Sequence, residues 1–454
     1  MGKENLNFAT MKIGPLFRAM FFPTLVGMLF TSLITVVDGI FVGRGVGANG
    51  IAAVNIVAPT FMVATGIGLM FGIGASVVAS IRLASDNLKG ARIVMTQGFV
   101  AACALALVML IPMTAAPDGV LSLLGCSPEL HANAVHYMLP LVPGIFFVMI
   151  QCIGMMLVRL DGSPRYAMWC QAVPAIVNIV LDYIMIFPMG MGVKGASVAT
   201  SISCVLGGVM VLVYFLWFSN KLKFYRLSRS AKSIARMLRN IVYMVKIGLA
   251  TFVTEVAMSV MMVTGNYMFM NRLGEQGVAA YSIACYLFPV VFSIANAVAQ
   301  SAQPIISFNY GARKGRRVAA ALKLALVTAL ACGVAVSAGL WAGAPWMVSM
   351  FLNPGQEAFD LAVKGLPIFA TCSIFFAVNV TFIGYYQSIE HAATSITYTL
   401  LRGVVLMIPS FILMPDLLGN TGLWLAIPAA EALTTLIILF FFITGRNRPQ
   451  IMKI

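Results

Sequence analysis

Charge is scarce in this chain, and each scarcity removes a class of function. Only 9% of its 454 residues are Asp, Glu, Lys or Arg, and just 14 are acids; a soluble domain carries about 25% charged residues. There are three histidines, His131, His136 and His391. They lack metal-ligand spacing, so a zinc centre is excluded. The eight cysteines are scattered without any C-x-x-C pair, which removes a disulfide framework and a metal cluster. No G-x-x-x-x-G-K-[ST] string occurs, so the chain has no P-loop ATPase of its own. Gly45-Val46-Gly47-Ala48-Asn49-Gly50 does match G-x-G-x-x-G. It joins two apolar runs, not a strand and a helix, and reads as a tight turn. No nucleophile–base pair appears, so the chain is not read as an enzyme. The first apolar run is too long for a cleavable leader and should remain as the first helix.

What is abundant is apolar surface: 61% of residues are hydrophobic. Twelve solid apolar runs are each long enough to span a bilayer as a helix. They fall near 15–41, 52–80, 93–115, 133–157, 166–188, 195–218, 246–270, 278–307, 319–343, 365–387, 393–414 and 421–443. Short alternating segments of a membrane β-barrel are missing. The expected class is an all-α polytopic membrane protein with 12 transmembrane helices.

The net charge of +15 could suggest nucleic acid, but its placement does not. With the N-terminus inside, 24 of 29 Lys and Arg fall in inner segments, four in outer loops (Arg44, Lys194, Arg272, Lys364) and one, Arg402, in a span. That asymmetry is the positive-inside signal. It implies a cytoplasmic (inner) membrane protein with both termini cytoplasmic and no nucleic-acid partner.

The chain also repeats itself at an offset of 227. Gly47-Ala48-Asn49-Gly50-Ile51-Ala52-Ala53 returns as Gly274-Glu275-Gln276-Gly277-Val278-Ala279-Ala280, and Leu139-Pro140 as Leu366-Pro367. Pro188, Gly192 and Gly195 return as Pro415, Gly419 and Gly422. A duplicated domain follows. Six spans return the chain to its starting side, so the two six-helix bundles should share one orientation. A pseudo-twofold axis along the membrane normal should relate them. The expected domains are an N-terminal bundle at 1–218, a basic cytoplasmic linker at 219–245 and a C-terminal bundle at 246–454. Seven basic residues between Lys221 and Arg239, with no acid, make the linker a topology anchor or a helix lying on anionic lipid. The long outer loops near 116–132 and 344–364 are expected to form short helical caps.

Four acids fall inside spans: Asp38, Asp182, Glu255 and Glu431. A carboxylate at mid-membrane costs at least about 2.5–3.5 kcal/mol on insertion scales, so such groups mark ion, proton or cationic-substrate sites. Asp38 and Asp182 lie at similar depth. Asn178 precedes Asp182 by four residues and shares its helix face, and Thr200 opens a run of hydroxyls. Two carboxylates, an amide and a hydroxyl form a hard oxygen set that suits Na⁺, or H⁺ if one carboxyl holds its proton. The alternative is a polar network that only staples helices. Glu255 is a candidate second ion or substrate carboxylate, and Glu431 could pair with Arg402. Pro23, 15 residues below Asp38, should kink the first helix, either as a hinge or as a static bend. Under the 227 offset Asp38 aligns with Gly265 and Asp182 with Pro409, so the repeat is kept in turns and lost in charges.

These residues resemble the multidrug and toxic compound extrusion (MATE) transporters over nearly the whole chain. The similar strings are Val37-Asp38-Gly39-Ile40-Phe41-Val42-Gly43, Asn178 to Asp182, Ala302-Gln303-Pro304-Ile305-Ile306 and Asn309-Tyr310-Gly311-Ala312, with Gln387 and Arg402. The resemblance implies antiport: export of amphipathic or cationic drugs in exchange for H⁺ or Na⁺, without a cofactor. It implies an ion site at Asp38, Asn178, Asp182 and Thr200. A substrate or second ion site would involve Glu255, Gln303, Arg402 and Glu431. It also implies a cavity between the halves, for which 30 Met and 30 Phe supply pliable lining. Membrane lipids surround such a protein, and a monomer is the simplest assembly. A lipid-linked saccharide flippase of related architecture is the rival reading. It would need several cations in its cavity, and only Arg402 lies within a span.

Overall fold

A computed structural model describes residues 6–445 except Gly47, Ser127 and Arg229. Gly47 of the first turn and Arg229 of the basic stretch therefore lie outside the described residues. Within them the chain is helical and contains no strand. The helices are α1 (Ile13–Gly45), α2 (Ala48–Ala84), α3 (Leu88–Ala115), α4 (Pro117–Leu123), α5 (Pro128–Leu160), α6 (Pro164–Ile186) and α7 (Gly192–Val213). They continue with α8 (Ala231–Gly311), α9 (Gly315–Ser349), α10 (Glu357–Ala370), α11 (Cys372–Ser388), α12 (Ala392–Leu400), α13 (Met407–Leu418) and α14 (Asn420–Ile443). Single π-helical turns, Tyr214–Phe218 and Leu401–Val405, extend α7 and join α12 to α13. Helices dominate because lipid offers no partner to backbone N–H and C=O groups, which must bond within their own segment.

Eleven helical stretches are long and apolar enough to cross a membrane. One of them, α8, runs for 81 residues but breaks at Gly274 (φ 63, ψ −156) into two legs. The twelve expected crossings are thus accounted for, with the break at the repeat mate of Gly47.

The duplication is written into the backbone. Asp86 (φ 56) and Arg313 (φ 57) are both left-handed, stand 227 apart, and centre the three-residue turns α2–α3 and α8–α9. Asn87 N donates to Arg82 O (2.8 Å), and its mate Lys314 N donates to Asn309 O (2.9 Å). A non-glycine residue rarely adopts this conformation, so two at one offset mark a retained turn, although the side chain changed from acid to base. Gly192 (φ 57) and Gly419 (φ 61) repeat the pattern.

By internal contacts the chain forms two compact units. One is built on residues 18–252 and the other on residues from Val253 onward, with Lys12–Phe17 counted to the second. The first unit extends past the expected boundary at 246 because the start of α8 is packed against α2. A Cβ on Gly74 would collide with the Met244 carbonyl, and one on Gly248 with that of Met70. Small residues let two membrane helices approach this closely. Within this unit α5 packs on α2 and α7, and α6 packs on α7; in the other, α11 packs on α9 and α14.

The described residues between 219 and 230 carry no helix, and α8 begins at Ala231, so the described part of the linker is helical only from there on. Its first part is pinned by Asp161, in the α5–α6 turn. Oδ1 accepts from Lys221 N and Leu222 N (both 2.8 Å), and Oδ2 from Asn220 N (2.6 Å) and the Tyr214 hydroxyl (2.8 Å). Burial still raises this carboxyl above its ordinary range, although the four donors oppose the shift. A short helix caps the first outer loop as α4. In the second, α9 runs on to Ser349 and a turn leads into α10, so no separate cap forms there.

Candidate functional site

In the first unit three helices bring the expected residues together. α1 supplies Asp38, half-buried. α6 supplies Asn178 and Asp182, one helical turn apart and both buried. α7 supplies Thr200, whose hydroxyl accepts from Asn178 Nδ2 at 3.5 Å. The carboxyls of Asp38 and Asp182 stand close enough to share a proton, and the Asn178 side chain lies near Asp182. No N–H or O–H among the described residues is placed to donate to Asp38 Oδ1, to either Asp182 oxygen or to Asn178 Oδ1.

A cluster so rich in unmet acceptors constrains its own chemistry. Two carboxylate charges 4 Å apart repel by about 4 kcal/mol at an effective dielectric constant of about 20. Burying each without a partner adds several kcal/mol more. Such an arrangement favours a shared proton or a nearby cation over two bare charges. Its oxygens are the hard donors that a small cation takes.

Sequence reasoning missed Tyr137. It is buried on α5, within electrostatic reach of both carboxylates. Ser197 on α7 donates to its backbone carbonyl and so fixes that stretch of α5. From sequence it was a lone tyrosine at the edge of an apolar run, indistinguishable from an interfacial anchor.

Pro23 lies inside α1, which remains one helix through it. In the second unit the candidates separate. Arg402, on the π-helical turn, and Glu431, on α14, form a buried two-point ion pair. Arg402 Nη2 donates to Oε1 (2.7 Å), and Nε reaches Oε1 (3.0 Å) and Oε2 (3.2 Å). The guanidinium lies 4.3 Å from the Phe376 ring centre. Asn379 Nδ2 donates to Glu431 Oε2 (2.8 Å) and to its backbone carbonyl (2.9 Å), and Thr435 Oγ1 donates to Asn379 Oδ1 (2.8 Å). Both carboxylate oxygens of Glu431 accept hydrogen bonds here, in contrast to the Asp182 oxygens.

Glu255 is half-buried on the first leg of α8. Its carboxylate forms no hydrogen bond or ion pair among the described residues. Its neighbours Thr254, Ala257, Met258 and Met261 line a small cleft with Arg402 and Glu431. Gln303 is buried on the second leg and bonds the Ser307 hydroxyl, one turn on, at 3.3 Å.

The MatE family model matches the chain twice, at residues 23–184 and 250–412, starting 227 residues apart like the repeat itself. The multidrug export protein MepA of Staphylococcus aureus (strain MSSA476) is 25% identical over 440 residues, covering 96% of this chain and 95% of MepA. Among solved structures, a MOP superfamily transporter from Pyrococcus furiosus superposes with a TM-score of 0.89 at 22% identity, with 100% of both chains covered. A MATE in complex with MaD3S gives 0.88 at 23%, again over 100% of both chains. At these identities the structural likeness establishes the fold.

Proposed function

The chain belongs to the MatE family of membrane transporters, and on that premise we propose that it is a secondary multidrug antiporter that exports amphipathic or cationic compounds in exchange for H⁺ or Na⁺. The observation that carries this reading is the buried carboxylate pair, Asp38 with Asp182, in which Asp38 Oδ1 and both Asp182 oxygens meet no donor among the described residues. Asn178 and Thr200 complete its oxygen set, with Tyr137 within electrostatic reach. The multidrug exporter MepA, similar along 96% of this chain, supports the substrate class.

With both carboxylates charged, the pair attracts a cation from the side to which it opens. An arriving proton or Na⁺ neutralises it and lowers the affinity for a cationic drug. The drug leaves, access changes, and the ion is released inward. Exchange needs ion and drug to disfavour one another by only about 1–3 kcal/mol. The protein acts here as a carrier and not an enzyme, and the ion is cargo, so no cofactor is required. The 24-to-4 distribution of basic residues supports an inner-membrane location with both termini cytoplasmic. The bundles 1–218 and 246–454 are the moving parts of a monomer, joined by the 219–245 linker. A lipid-linked saccharide flippase is disfavoured because Arg402, the basic residue a phosphate would want, is committed to Glu431.

The test is ethidium uptake into proteoliposomes under a pH gradient or a Na⁺ gradient imposed separately, with Asp38→Asn alongside. One gradient should drive uptake, and the substitution should abolish it in a folded protein. Uptake by neither gradient, or by the variant at the unsubstituted rate, defeats the reading.

A further inference from the structure

Below the carboxylate pair a line of polar groups continues between α1 and α6. Residues 24, 27, 31, 35 and 38 share one face of α1, spaced three or four apart, as do 171, 175, 178 and 182 on α6. Near the carboxylates the track is open: Thr35 and Thr31 are exposed. One level down it closes. Thr31 Oγ1 reaches Gln171 Oε1 at 3.5 Å, while also donating to Gly27 O at 3.2 Å. Gln171 is 5% exposed. Its amide lies flat on the α1 backbone, since a Cβ on Gly27 would sit 2.7 Å from Nε2. Beneath it Thr24, 1% exposed, buries a hydroxyl that no protein group meets. Met20, the next residue on that face, is apolar and fully buried.

We infer that this seam is the inward release route of the coupling ion, with the Gln171 amide against Gly27 as its gate and Thr24 as the first landing beyond it. The inference rests on the ion-coupled reading of Asp38 and Asp182 given above. From Asp182 to Gln171 is eleven residues, about 16 Å of helix, and polar atoms occur on nearly every turn of the two facing helices. A staple would have its polar atoms paired, as the Arg402–Glu431 network has. The Thr24 hydroxyl is instead unpaired at the blind end of the track, where an arriving ion or proton-carrying water would find an acceptor. An amide suits the gate for either ion. Oε1 coordinates Na⁺, and for a proton Oε1 accepts while Nε2 donates. The route runs toward the end of α1 that carries Lys12 and Arg18. Gly27 is required for closure, since any side chain there pushes the amide away.

Two readouts on the whole protein separate the gate from the site. Displacement of bound ethidium by Na⁺ or by protons, measured in detergent at equilibrium, reports the carboxylate pair. Gradient-driven ethidium uptake into proteoliposomes reports passage. Gln171→Leu should keep the displacement midpoint within twofold and slow uptake at least tenfold, and Gln171→Glu should restore uptake to within threefold. Thr24→Val removes only an unpaired hydroxyl, so thermal stability should hold or rise while uptake slows severalfold. This variant decides the matter if Gln171→Leu does not fold. Uptake by both at the unsubstituted rate overturns the seam alone. Loss of displacement together with uptake in folded variants also overturns it, because these residues would then serve the site and not a route. Absence of displacement in the unsubstituted protein overturns the coupling reading and the seam with it.

Discussion

The Arg402–Glu431 pair invites a double-mutant cycle, because its geometry fixes the expected numbers. Arg402→Met leaves the Glu431 carboxylate, 4% exposed, with Asn379 as its one remaining side-chain donor. Glu431→Leu leaves the guanidinium, 7% exposed, over the Phe376 ring with no counter-charge. Breaking a buried pair from one side costs about 3–5 kcal/mol. For a unit of about 200 residues, 1 kcal/mol moves the unfolding midpoint by about 2–4 °C, so each single variant should lose roughly 6–20 °C. The double variant Arg402→Met/Glu431→Leu removes both charges. Asn379 keeps its bond to the residue-431 carbonyl, and the Met thioether takes the cation's place over the ring. It should recover to within about 1 kcal/mol of the parent, which is a coupling of several kcal/mol. Thermal unfolding in detergent, followed by size-exclusion chromatography, reads all four corners, and ethidium uptake by the double variant should stay within threefold. Singles that unfold within about 1 kcal/mol of the parent, or a double as unstable as their sum, refute the staple. A folded double without uptake refutes it differently, by making the pair part of the transport site.

Two further outcomes follow from single residues. Asp161→Ala strips acceptors from three backbone N–H groups and the Tyr214 hydroxyl, at about 1 kcal/mol each; trypsin should then cut at Lys221 and Lys223 at least tenfold faster, and an unchanged rate would mean the clamp does not hold the linker. Tyr137→Phe deletes the phenol beside the carboxylate pair and should move the ion-displacement midpoint about tenfold, equivalent to about 1.4 kcal/mol, with folding intact; an unmoved midpoint would exclude the phenol from the site.

What the sequence revealed follows the range of the interactions involved. The twelve crossings were legible because lipid forces long apolar runs into helices, whatever their neighbours. Asn178 and Asp182 were legible as one face because four residues make a helical turn, and Asp38 joined them by depth alone. Tyr137 was not legible, because its value lies in what α1 and α6 place around it. The Arg402–Glu431 pairing could be named as an option, but whether it was closed depended on Phe376 and Asn379, 26 and 23 residues before Arg402 on a different helix. Of the two readings of the linker, the lipid-lying helix does not extend over the described residues between 219 and 230, for a similar reason. Its basic composition could not reveal that Asp161, some 60 residues earlier, would pull its backbone into hydrogen bonds incompatible with a helix.

The unequal charges of the two repeats have a steric cause as well as an electrostatic one. Asp38 aligns with Gly265, and a Cβ at Gly265 would run into the Tyr281 phenol. Tyr281 is buried there, stacked on Phe269 with ring centres 4.5 Å apart, and its hydroxyl donates to Met261 O at 3.3 Å. No aspartate fits the place where the first repeat has one. Asp182 aligns with Pro409, which has no acid to offer either. The acid that the second repeat does bury beside its cleft, Glu431, is neutralised by Arg402 within the protein. A fixed counter-cation leaves nothing for a mobile one to do. In the first repeat the two carboxylates meet with no such cation among the described residues, and on the antiport reading proposed above the exchanged ion balances them. The same fold, used twice, thus pairs the buried acid Glu431 with a cation of its own sequence and leaves Asp38 and Asp182 without one among the described residues.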